Sequence, residues 1–381
     1  MKKIKSLLIL IVLFTIFVAS VNAQALDNWV FGGNARINTI STSPTAATSM
    51  VNTLEGSSSI SDSNGNLLFY TDGTNVWNRT NAIMPSVIPA TGKLMGSSSS
   101  TTSSLIVPCD CNKYFIFTTD STEHQYQNGL RYSVVDMNAP SGSGNGDVTS
   151  ANNLLLPRSS EKIAAVAAPP SAGGGFWVVA HEIGTNRFFS YRIQANGNCT
   201  INPQSELNRI SSVGKVFLGG GGNPSANFGQ GEMKISPDGG KIAVAGTGWG
   251  NGSFIEVFRF NTTTGAVTNI SSATHGDYET PTNPQTFYGV EFSPDSRQLY
   301  VSTFQSNNRI YQYDVAALTP AIFVSSRETV ADIGQVGGPT NGYGFGQLEL
   351  SPSGGSQPQK IYIARNSNSF LSVINNPNNP T

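Results

Sequence analysis

The chain has 381 residues, of which 12% are charged, and its formal net charge at pH 7 is −1. With 22 basic against 23 acidic side chains, it lacks the positive surface that neutralises phosphates, which argues against nucleic acid as a partner. The 40 glycines and the many Ser, Thr and Asn residues favour short strands and tight turns over long helices.

The first 23 residues have the pattern of an export signal. Lys2, Lys3 and Lys5 precede a nearly unbroken apolar stretch at 7–20, and a small residue, Ala23, precedes the expected cleavage site. The apolar stretch is too short and wrongly flanked for a transmembrane helix, and no other segment has the pattern of a membrane span. We therefore expect 1–23 to be a signal peptide and the mature chain, 24–381, to be secreted or held at the cell surface.

From residue 28 onward, short apolar runs alternate with period two, as expected for half-buried strands. Two leading strands are predicted at 28–31 and 35–37. Pairs of apolar runs separated by a turn follow at 59–71, 105–118 and 165–180, and in clearer form at 233–245, 290–302 and 348–364. The turns of the three clearer copies contain Pro237, Pro294 and Pro352, which are 57 and then 58 residues apart.

Six copies at a spacing of roughly 46 to 68 residues predict an all-β fold, a β-propeller of four-stranded blades. In the Ser-Pro-Asp-Gly turn at 236–239, Pro fixes one backbone angle, Asp hydrogen-bonds back to the chain and Gly takes the left-handed conformation, so the first strand reverses into the second. One such sheet cannot bury both of its faces, whereas blades stacked around an axis can. We expect seven blades, with the leading strands completing a last blade from the other end of the chain.

Several segments of the chain resemble a known family. They are similar to the N-terminal propeller region of large surface proteins from Bacteroidota, and they comprise 29–32, 52–56, 59–85, 129–137, 288–302 and 371–378. In that family, PKD modules and a type IX secretion sorting domain follow the propeller. The Ser-Pro-Asp-Gly strands also resemble WD-like and YVTN-type repeats and lactonase-type propellers. The resemblance implies a surface location and type IX export more than a mechanism. We expect the closing blade to be incomplete in this chain and further modules to follow Thr381.

Propellers bind ligands at one mouth of the central channel, where inner strands begin and second strands end. Polar side chains occupy both kinds of position. Those that enter an inner strand are Glu55, Glu161, Glu232 and Gln347, and those that leave a second strand are Asp72, Asp120, His181 and Arg365. Carboxylates beside a histidine are suited to a divalent cation such as calcium, or to hydrogen-bonding a sugar or peptide. The alternative is that each side chain only ties down its own loop.

The three cysteines are Cys109, Cys111 and Cys199. An exported protein can oxidise a pair of them, but Cys109 and Cys111 are awkwardly close in sequence for a direct bridge. Cys199 would pair with one of the two if two loops meet. The sequence favours incidental loop thiols over a structural disulfide, and Cys-x-Cys offers too few ligands for a metal site.

The sequence contains no recognisable set of catalytic residues. There is no Gly-x-Ser-x-Gly motif, and His124, His181 and His275 fall in unrelated loops. We expect His124 and His275 to be solvated, whereas His181 directly follows a buried strand and is the histidine of interest. The segment 62–66 resembles a calcium loop but lacks its later Glu, so a hairpin turn is expected there.

Three aromatic residues in polar loops are expected to be exposed, where they would stack on sugars or pin their own loops: Tyr126, Trp249 and Tyr343. Together these features predict a non-enzymatic binding or scaffold module that contacts a surface protein or a glycan through one propeller face. The alternative is a lactonase-like or other metal-assisted hydrolase that uses the carboxylate-rich mouth. A third possibility is a structural spacer without a ligand. No cofactor is expected, with calcium the single candidate, and the oligomeric state is not predicted.

Overall fold

The fold is built almost entirely from short antiparallel strands. The computed structural model describes residues 27–39, 44–84, 93–110, 112–140, 144–194, 199–205, 208–217, 228–248, 252–271, 275–279, 286–304, 308–316, 319–334, 344–353, 358–366 and 370–379. Within these ranges there are 26 strands and one α-helix, α1 (Pro320–Ser325). No helix in these ranges has the length and apolar character to cross a membrane. The expected leader, Cys111, Trp249 and Tyr343 lie outside the described residues.

The strands form seven sheets, each of which is one blade. The first three blades contain β1 (Asn28–Phe31), β2 (Gly33–Asn38) and β3 (Thr45–Asn52); β4 (Ser58–Ser61), β5 (Leu67–Thr71) and β6 (Val76–Asn78); and β7 (Ser104–Asp110), β8 (Lys113–Thr119), β9 (Leu130–Asp136) and β10 (Asp147–Leu156). The fourth and fifth contain β11 (Ser159–Ala167), β12 (Phe176–Glu182), β13 (Arg187–Ile193) and β14 (Arg209–Ser212); and β15 (Met233–Ile235), β16 (Lys241–Gly248), β17 (Gly252–Asn261), β18 (Ala266–Thr268) and β19 (His275–Tyr278). The last two contain β20 (Phe287–Phe292), β21 (Gln298–Thr303), β22 (Arg309–Asp314) and β23 (Glu328–Asp332); and β24 (Phe345–Leu350), β25 (Ile361–Arg365) and β26 (Ser372–Ile374).

The blades follow one another around a ring in chain order. The first strand of each blade lies beside the first strand of the next, from β1 through β4, β7, β11, β15 and β20 to β24. The ring closes between the first and seventh blades, where Trp29 packs edge-on against Tyr362 with ring centroids 5.2 Å apart. The predicted seven-bladed β-propeller is confirmed.

The leading strands form a blade of their own. β1 and β2 pair with β3 and not with the last blade, so the expectation that they would complete the blade at the other end of the chain was wrong. The reason lies in β3, which the sequence does not reveal as a strand. Its residues are mostly small or polar and mostly exposed, so they lack the apolar alternation that marks the other strands.

The core consists of apolar layers between adjacent blades. Side chains of β16 alternate between two such layers: Ile242 and Val244 pack with fourth-blade residues such as Trp177, whereas Ala243 and Ala245 pack with sixth-blade residues. Because successive side chains of a strand point to opposite faces, each blade contributes to the layer before it and to the layer after it. Stacking around the axis therefore buries both faces of each sheet.

The predicted reversals between first and second strands are present. In the fifth blade, Ser236 donates a hydrogen bond from Oγ to the Asp238 carboxylate at 2.5 Å, and Gly239 has a φ of +72°. The turn also bonds to the next blade, because the N–H of Asp238 donates to Oγ of Ser296 at 3.1 Å. These turns therefore join neighbouring blades as well as neighbouring strands.

A disulfide joins Cys109 on β7 to Cys199, which follows β13, with Cα atoms 5.7 Å apart. It links the third blade to the fourth. The expectation of incidental loop thiols was therefore wrong for these two residues. Stacking of adjacent blades brings together two segments that are 90 residues apart in the sequence, a proximity that spacing alone does not reveal.

Candidate functional site

The predicted site residues lie at one mouth of the propeller. Antiparallel pairing places the start of each inner strand opposite the end of the second strand, as for Ser104 opposite Thr118 and Phe345 opposite Arg365. Positions that enter inner strands therefore share an edge with positions that leave second strands. The structure brings the entering residues together at the axis and leaves the others within their own blades.

Thr101 is the residue on which entering groups converge. It is fully buried in the segment that leads into β7. Its N–H and Oγ1 donate to Oε2 of Glu161 in the fourth blade at 2.9 and 2.7 Å. Its Oγ1 also accepts the N–H of Gly231, next to the fifth blade, at 3.1 Å, and its carbonyl accepts from Nε2 of Gln347 in the seventh. Groups from these blades can meet only near the axis, so Thr101 lies close to the centre of the propeller.

Glu161 and Lys162 are both fully buried in β11, where the pairing with β12 is irregular. Besides its bonds to Thr101, Glu161 accepts the N–H of Thr122 on Oε1 at 2.9 Å. Lys162 donates from Nζ to three consecutive carbonyls, those of Phe228, Gly229 and Gln230, at 3.0, 2.8 and 2.5 Å. Burial raises the pKa of Glu161 and lowers the pKa of Lys162. The hydrogen bonds offset the cost of burying these groups.

Glu232 bonds three blades together. It immediately precedes β15 and is 4% exposed. Its Oε2 accepts the N–H of Val290 in the sixth blade at 3.0 Å and the N–H of Leu348 in the seventh at 3.2 Å. Burial raises the pKa of Glu232 to about 8, although the positive charge of Lys234 opposes the rise. Glu232 is therefore committed to the backbone of its neighbours.

Lys234 lies two residues further along β15, on the same side of the strand as Glu232. Its Nζ is 2.6 Å from a carboxylate oxygen of Glu349, 3.5 Å from one of Glu291 and 4.0 Å from one of Glu232. Three carboxylates from three blades thus share one ammonium group. Burial raises the pKa of Glu291 to about 7 against the opposing charge of Lys234. One ammonium group cannot neutralise three carboxylates, and the negative charge of Glu349 raises the pKa of Glu291 further.

Glu55 belongs to the same cluster as Glu161. It lies between β3 and β4, and burial raises the pKa of Glu55 well above its ordinary value. The nearby charge of Glu161 raises it further, whereas a hydrogen bond with Tyr288 lowers it. The adjoining Gly56 donates its N–H to the carbonyl of Ser100 at 3.1 Å. The entering residues Glu55, Glu161, Glu232 and Gln347 are therefore brought together.

Two of the leaving residues, Asp72 and Asp120, hold their own loops. Asp72 accepts the N–H groups of Thr74 and Asn75 at 2.8 and 2.7 Å. Asp120 accepts the N–H groups of Ser121 and Asn128 at 2.9 and 2.8 Å. These bonds fit the expectation that each side chain ties down its own loop.

The other two leaving residues pack against aromatic rings. His181 is fully buried and stacks on Phe217 with ring centroids 3.6 Å apart. Burial lowers the pKa of His181 well below its ordinary value, and the charge of Lys162 lowers it further. The Arg365 guanidinium lies 4.8 Å from the ring centroid of Phe345. Neither residue joins the cluster around Thr101 by a hydrogen bond or ion pair in the described structure.

A depression with a volume of about 320 Å³ opens on the same face, in the loop that follows β8. It is lined by Asp120, Glu123, His124, Gln125, Gln127 and Asn128. Tyr126 is fully buried within this loop, so the expectation that it would be exposed was wrong. Its ring pins the loop, which leaves the neighbouring polar side chains at the surface.

Sequence reasoning missed Thr101, Lys162 and Tyr288. Thr101 lies in the run 97–104, which contains only Ser and Thr and therefore resembles a solvent-exposed connection. Lys162 and Tyr288 lie in irregular stretches of inner strands. Strict alternation of side chains there assigns a residue to the wrong face of the sheet. The recurrence of a polar residue at the start of each inner strand was the available signal. The ligand-binding role of the eight predicted residues stays a prediction.

The described residues contain no group of three or more His, Cys, Asp or Glu side chains arranged to hold a metal ion. The segment 62–66 is the expected turn, because Asp62 accepts the N–H groups of Asn64 and Asn66 at 2.8 and 2.9 Å. These bonds occupy the carboxylate oxygen that a calcium loop would direct at the ion.

No protein-family model matches the chain, and no curated protein matches it either. Among solved structures, the chain is similar to Hsv2 of Kluyveromyces lactis, with 9% identity and a TM-score of 0.40 over 92% of this chain and 98% of that one. It is also similar to a candidate 6-phosphogluconolactonase from Bacteroides uniformis, with 12% identity and a TM-score of 0.44 over 92% and 94% of the two chains. Similarity at this level carries no information about a shared ligand or activity.

Proposed function

We propose that this chain is a secreted or cell-surface propeller module that binds a protein or a glycan through its mouth face and is not an enzyme. The observation that carries the proposal is that buried carboxylates at the mouth are already hydrogen-bonded within the protein. The carboxylates of Glu161 and Glu232 accept hydrogen bonds from the backbone of other blades. A catalytic acid or base must reach its substrate, and these groups are buried and already bonded. The mouth therefore fixes the surrounding loops, and those loops are the surface left for binding.

Three observations support export. The first 23 residues have the pattern of a signal peptide. The Cys109–Cys199 disulfide is of a kind that persists in oxidising compartments. The resemblance to propellers of Bacteroidota surface proteins adds surface display through type IX secretion. Expression of the whole chain in a bacterial host tests the first step, because mass spectrometry should find an exported product that begins at Gln24. An uncleaved product that stays in the cytoplasm would contradict export.

The competing function is a lactonase-like or other metal-assisted hydrolase. It would need several side chains that converge on an open point. Instead, the carboxylates of Glu161 and Glu232 accept backbone N–H groups. The ammonium group of Lys234 is shared by the carboxylates of Glu232, Glu291 and Glu349. The geometry therefore supports the binding module better.

The test measures binding and turnover on the same preparation. The purified chain is applied to an array of neutral and acidic glycans and to immobilised surface proteins, and it is assayed on a lactone panel with calcium or zinc. We expect binding to at least one glycan or protein and no metal-dependent turnover. Turnover that is abolished by Glu232→Gln or His181→Ala would establish the hydrolase. The absence of all binding would leave a structural spacer and contradict the proposal.

A further inference from the structure

Asp120 and His124 form a carboxylate–histidine pair at the edge of the mouth. Asp120 is fully buried, and its Oδ1 lies 2.8 Å from Nδ1 of His124, whose side chain is 58% exposed. A carboxylate oxygen can only accept a hydrogen bond. Nδ1 therefore carries a proton, and when the ring is neutral Nε2 keeps its lone pair. A buried carboxylate that fixes the tautomer and orientation of an exposed imidazole is a device for presenting Nε2 to a ligand.

The loop that carries the pair is rigidly held. The Asp120 carboxylate accepts the N–H groups of Ser121 and Asn128. The Glu161 carboxylate, near the axis, accepts the N–H of Thr122. The fully buried Tyr126 anchors the loop from within. Gln125 and Tyr126 both have left-handed backbones, with φ of 54° and 58°, a conformation that non-glycine residues keep only when their surroundings enforce it. The polar side chains of the depression are therefore preorganised.

The chemistry of the depression favours a neutral, hydroxyl-rich ligand. Its lining offers acceptors in His124 Nε2 and in the Glu123 carboxylate, and both donors and acceptors in the amides of Gln125, Gln127 and Asn128. The lining contains no Lys or Arg and two carboxylates, so an anionic ligand would be repelled. It is not part of any three-residue metal-binding group in the described chain.

We propose that this depression binds a neutral sugar unit of a glycan, with His124 Nε2 and Glu123 each accepting a hydrogen bond from a sugar hydroxyl. Asp120 is the positioning residue that holds His124 in the accepting tautomer. This inference rests on the proposed binding function and specifies its ligand class and site.

The chain has three histidines, so labelling with [15N]histidine gives a spectrum of three imidazoles. We would titrate the labelled protein with methyl glycosides of mannose, galactose and glucose, and with glucuronate as the acidic counterpart. We expect at least one neutral glycoside to shift the Nε2 signal of His124 without shifting that of the buried His181. Glucuronate should bind at least tenfold more weakly than that glycoside.

Two substitutions separate this site from a general effect on folding. His124→Ala should weaken glycoside binding at least tenfold, whereas the matched control His275→Ala should bind as the unmodified chain does. Asp120→Asn should change the tautomer signature of the His124 nitrogens as well as the affinity. If no glycoside shifts the His124 signal, or if His124→Ala binds equally well, the inference is wrong. A chain that binds an array glycan or a protein independently of His124 would keep the proposed function and lose only this site.

Discussion

Thr101 and Glu161, 60 residues apart in the sequence, share two hydrogen bonds to one carboxylate oxygen, one from the Thr101 N–H and one from its hydroxyl. The same hydroxyl accepts the N–H of Gly231. The Thr101 hydroxyl thus connects a buried carboxylate to the backbone next to another blade. Both partners are shielded from water, so neither can exchange a lost bond for one to solvent.

Thr101→Val should lower the free energy of unfolding by about 2 to 3 kcal/mol, because it removes the hydroxyl and leaves two buried groups without that partner. Thr101→Ser keeps the hydroxyl and should cost about 1 kcal/mol, the effect of one lost methyl group. Urea denaturation followed by tryptophan fluorescence measures both values. Equal losses in the two variants would show that the hydroxyl does not contribute.

Glu232 should make the protein less stable as the pH rises. Burial raises the pKa of Glu232 from 4.5 to about 8 in the folded state. Its contribution to stability is fully present below the unfolded-state value and is lost as the pH rises through the folded-state value. Over this window, the loss is on the order of 5 kcal/mol. The decisive quantity is the difference in unfolding free energy between the unmodified chain and Glu232→Gln, measured by urea denaturation at several pH values.

That difference should fall between about pH 4.5 and 8, where Glu232 titrates, and be constant above. Comparison with the variant is needed because other buried groups also titrate. The depressed pKa values of His181 and Lys162 give contributions of opposite sign that are lost as the pH falls. These contributions are common to both proteins and cancel. A difference that rises with pH would mean that Glu232 is stabilised as the carboxylate.

Gly56→Ala should displace the segment that carries Thr101. A Cβ at this position would lie 2.3 Å from the backbone nitrogen of Ser103 and 2.9 Å from the carbonyl oxygen of Ser100. Backbone atoms on both sides leave no room for adjustment, so we expect a loss of about 2 kcal/mol or more. Gly33→Ala is the matched control, since a Cβ there meets nothing within 4 Å. Thermal denaturation should separate the two variants, and similar melting temperatures would contradict the close approach.

Removal of the disulfide by a double Cys109→Ser, Cys199→Ser substitution should cost about 2 to 5 kcal/mol, because the bridge closes a long loop in the unfolded chain. A reducing agent should lower the stability of the unmodified chain to that of the double variant and leave the variant unchanged. Cys111→Ser is the control and should retain the response to reduction. An unmodified chain that does not respond to full reduction would argue against a stabilising bridge.

The parts of the fold that local physics determines could be predicted from the sequence. The reversal at Ser236–Asp238 needs only neighbouring residues, and it formed as expected. The convergence of Glu161 and Gln347 followed from strand alternation and from the common edge of the inner strands. Both residues do meet at Thr101.

The parts that depend on contacts between blades could not be predicted in the same way. The Cys109–Cys199 pair becomes close only after the third and fourth blades stack. The run 97–104 is polar throughout, yet Ser100, Thr101 and Ser103 are fully buried, because backbone and carboxylate groups of other segments satisfy its hydrogen bonds. His181 was predicted to be the histidine of interest. The histidine whose ring is oriented by a buried carboxylate, that of Asp120, is instead His124.

Repeat proteins in which each unit contacts only its neighbours can lose terminal units one at a time. The hydrogen bonds of Thr101 change that behaviour here, because they connect the third blade directly to the start of the fifth and to the seventh. Fraying of the three-stranded seventh blade would break the bond from Gln347 to Thr101, on the other side of the ring. The molecule should therefore melt as one cooperative unit. Its slowest amide hydrogen exchange should be at the cluster around Thr101 rather than within any single sheet.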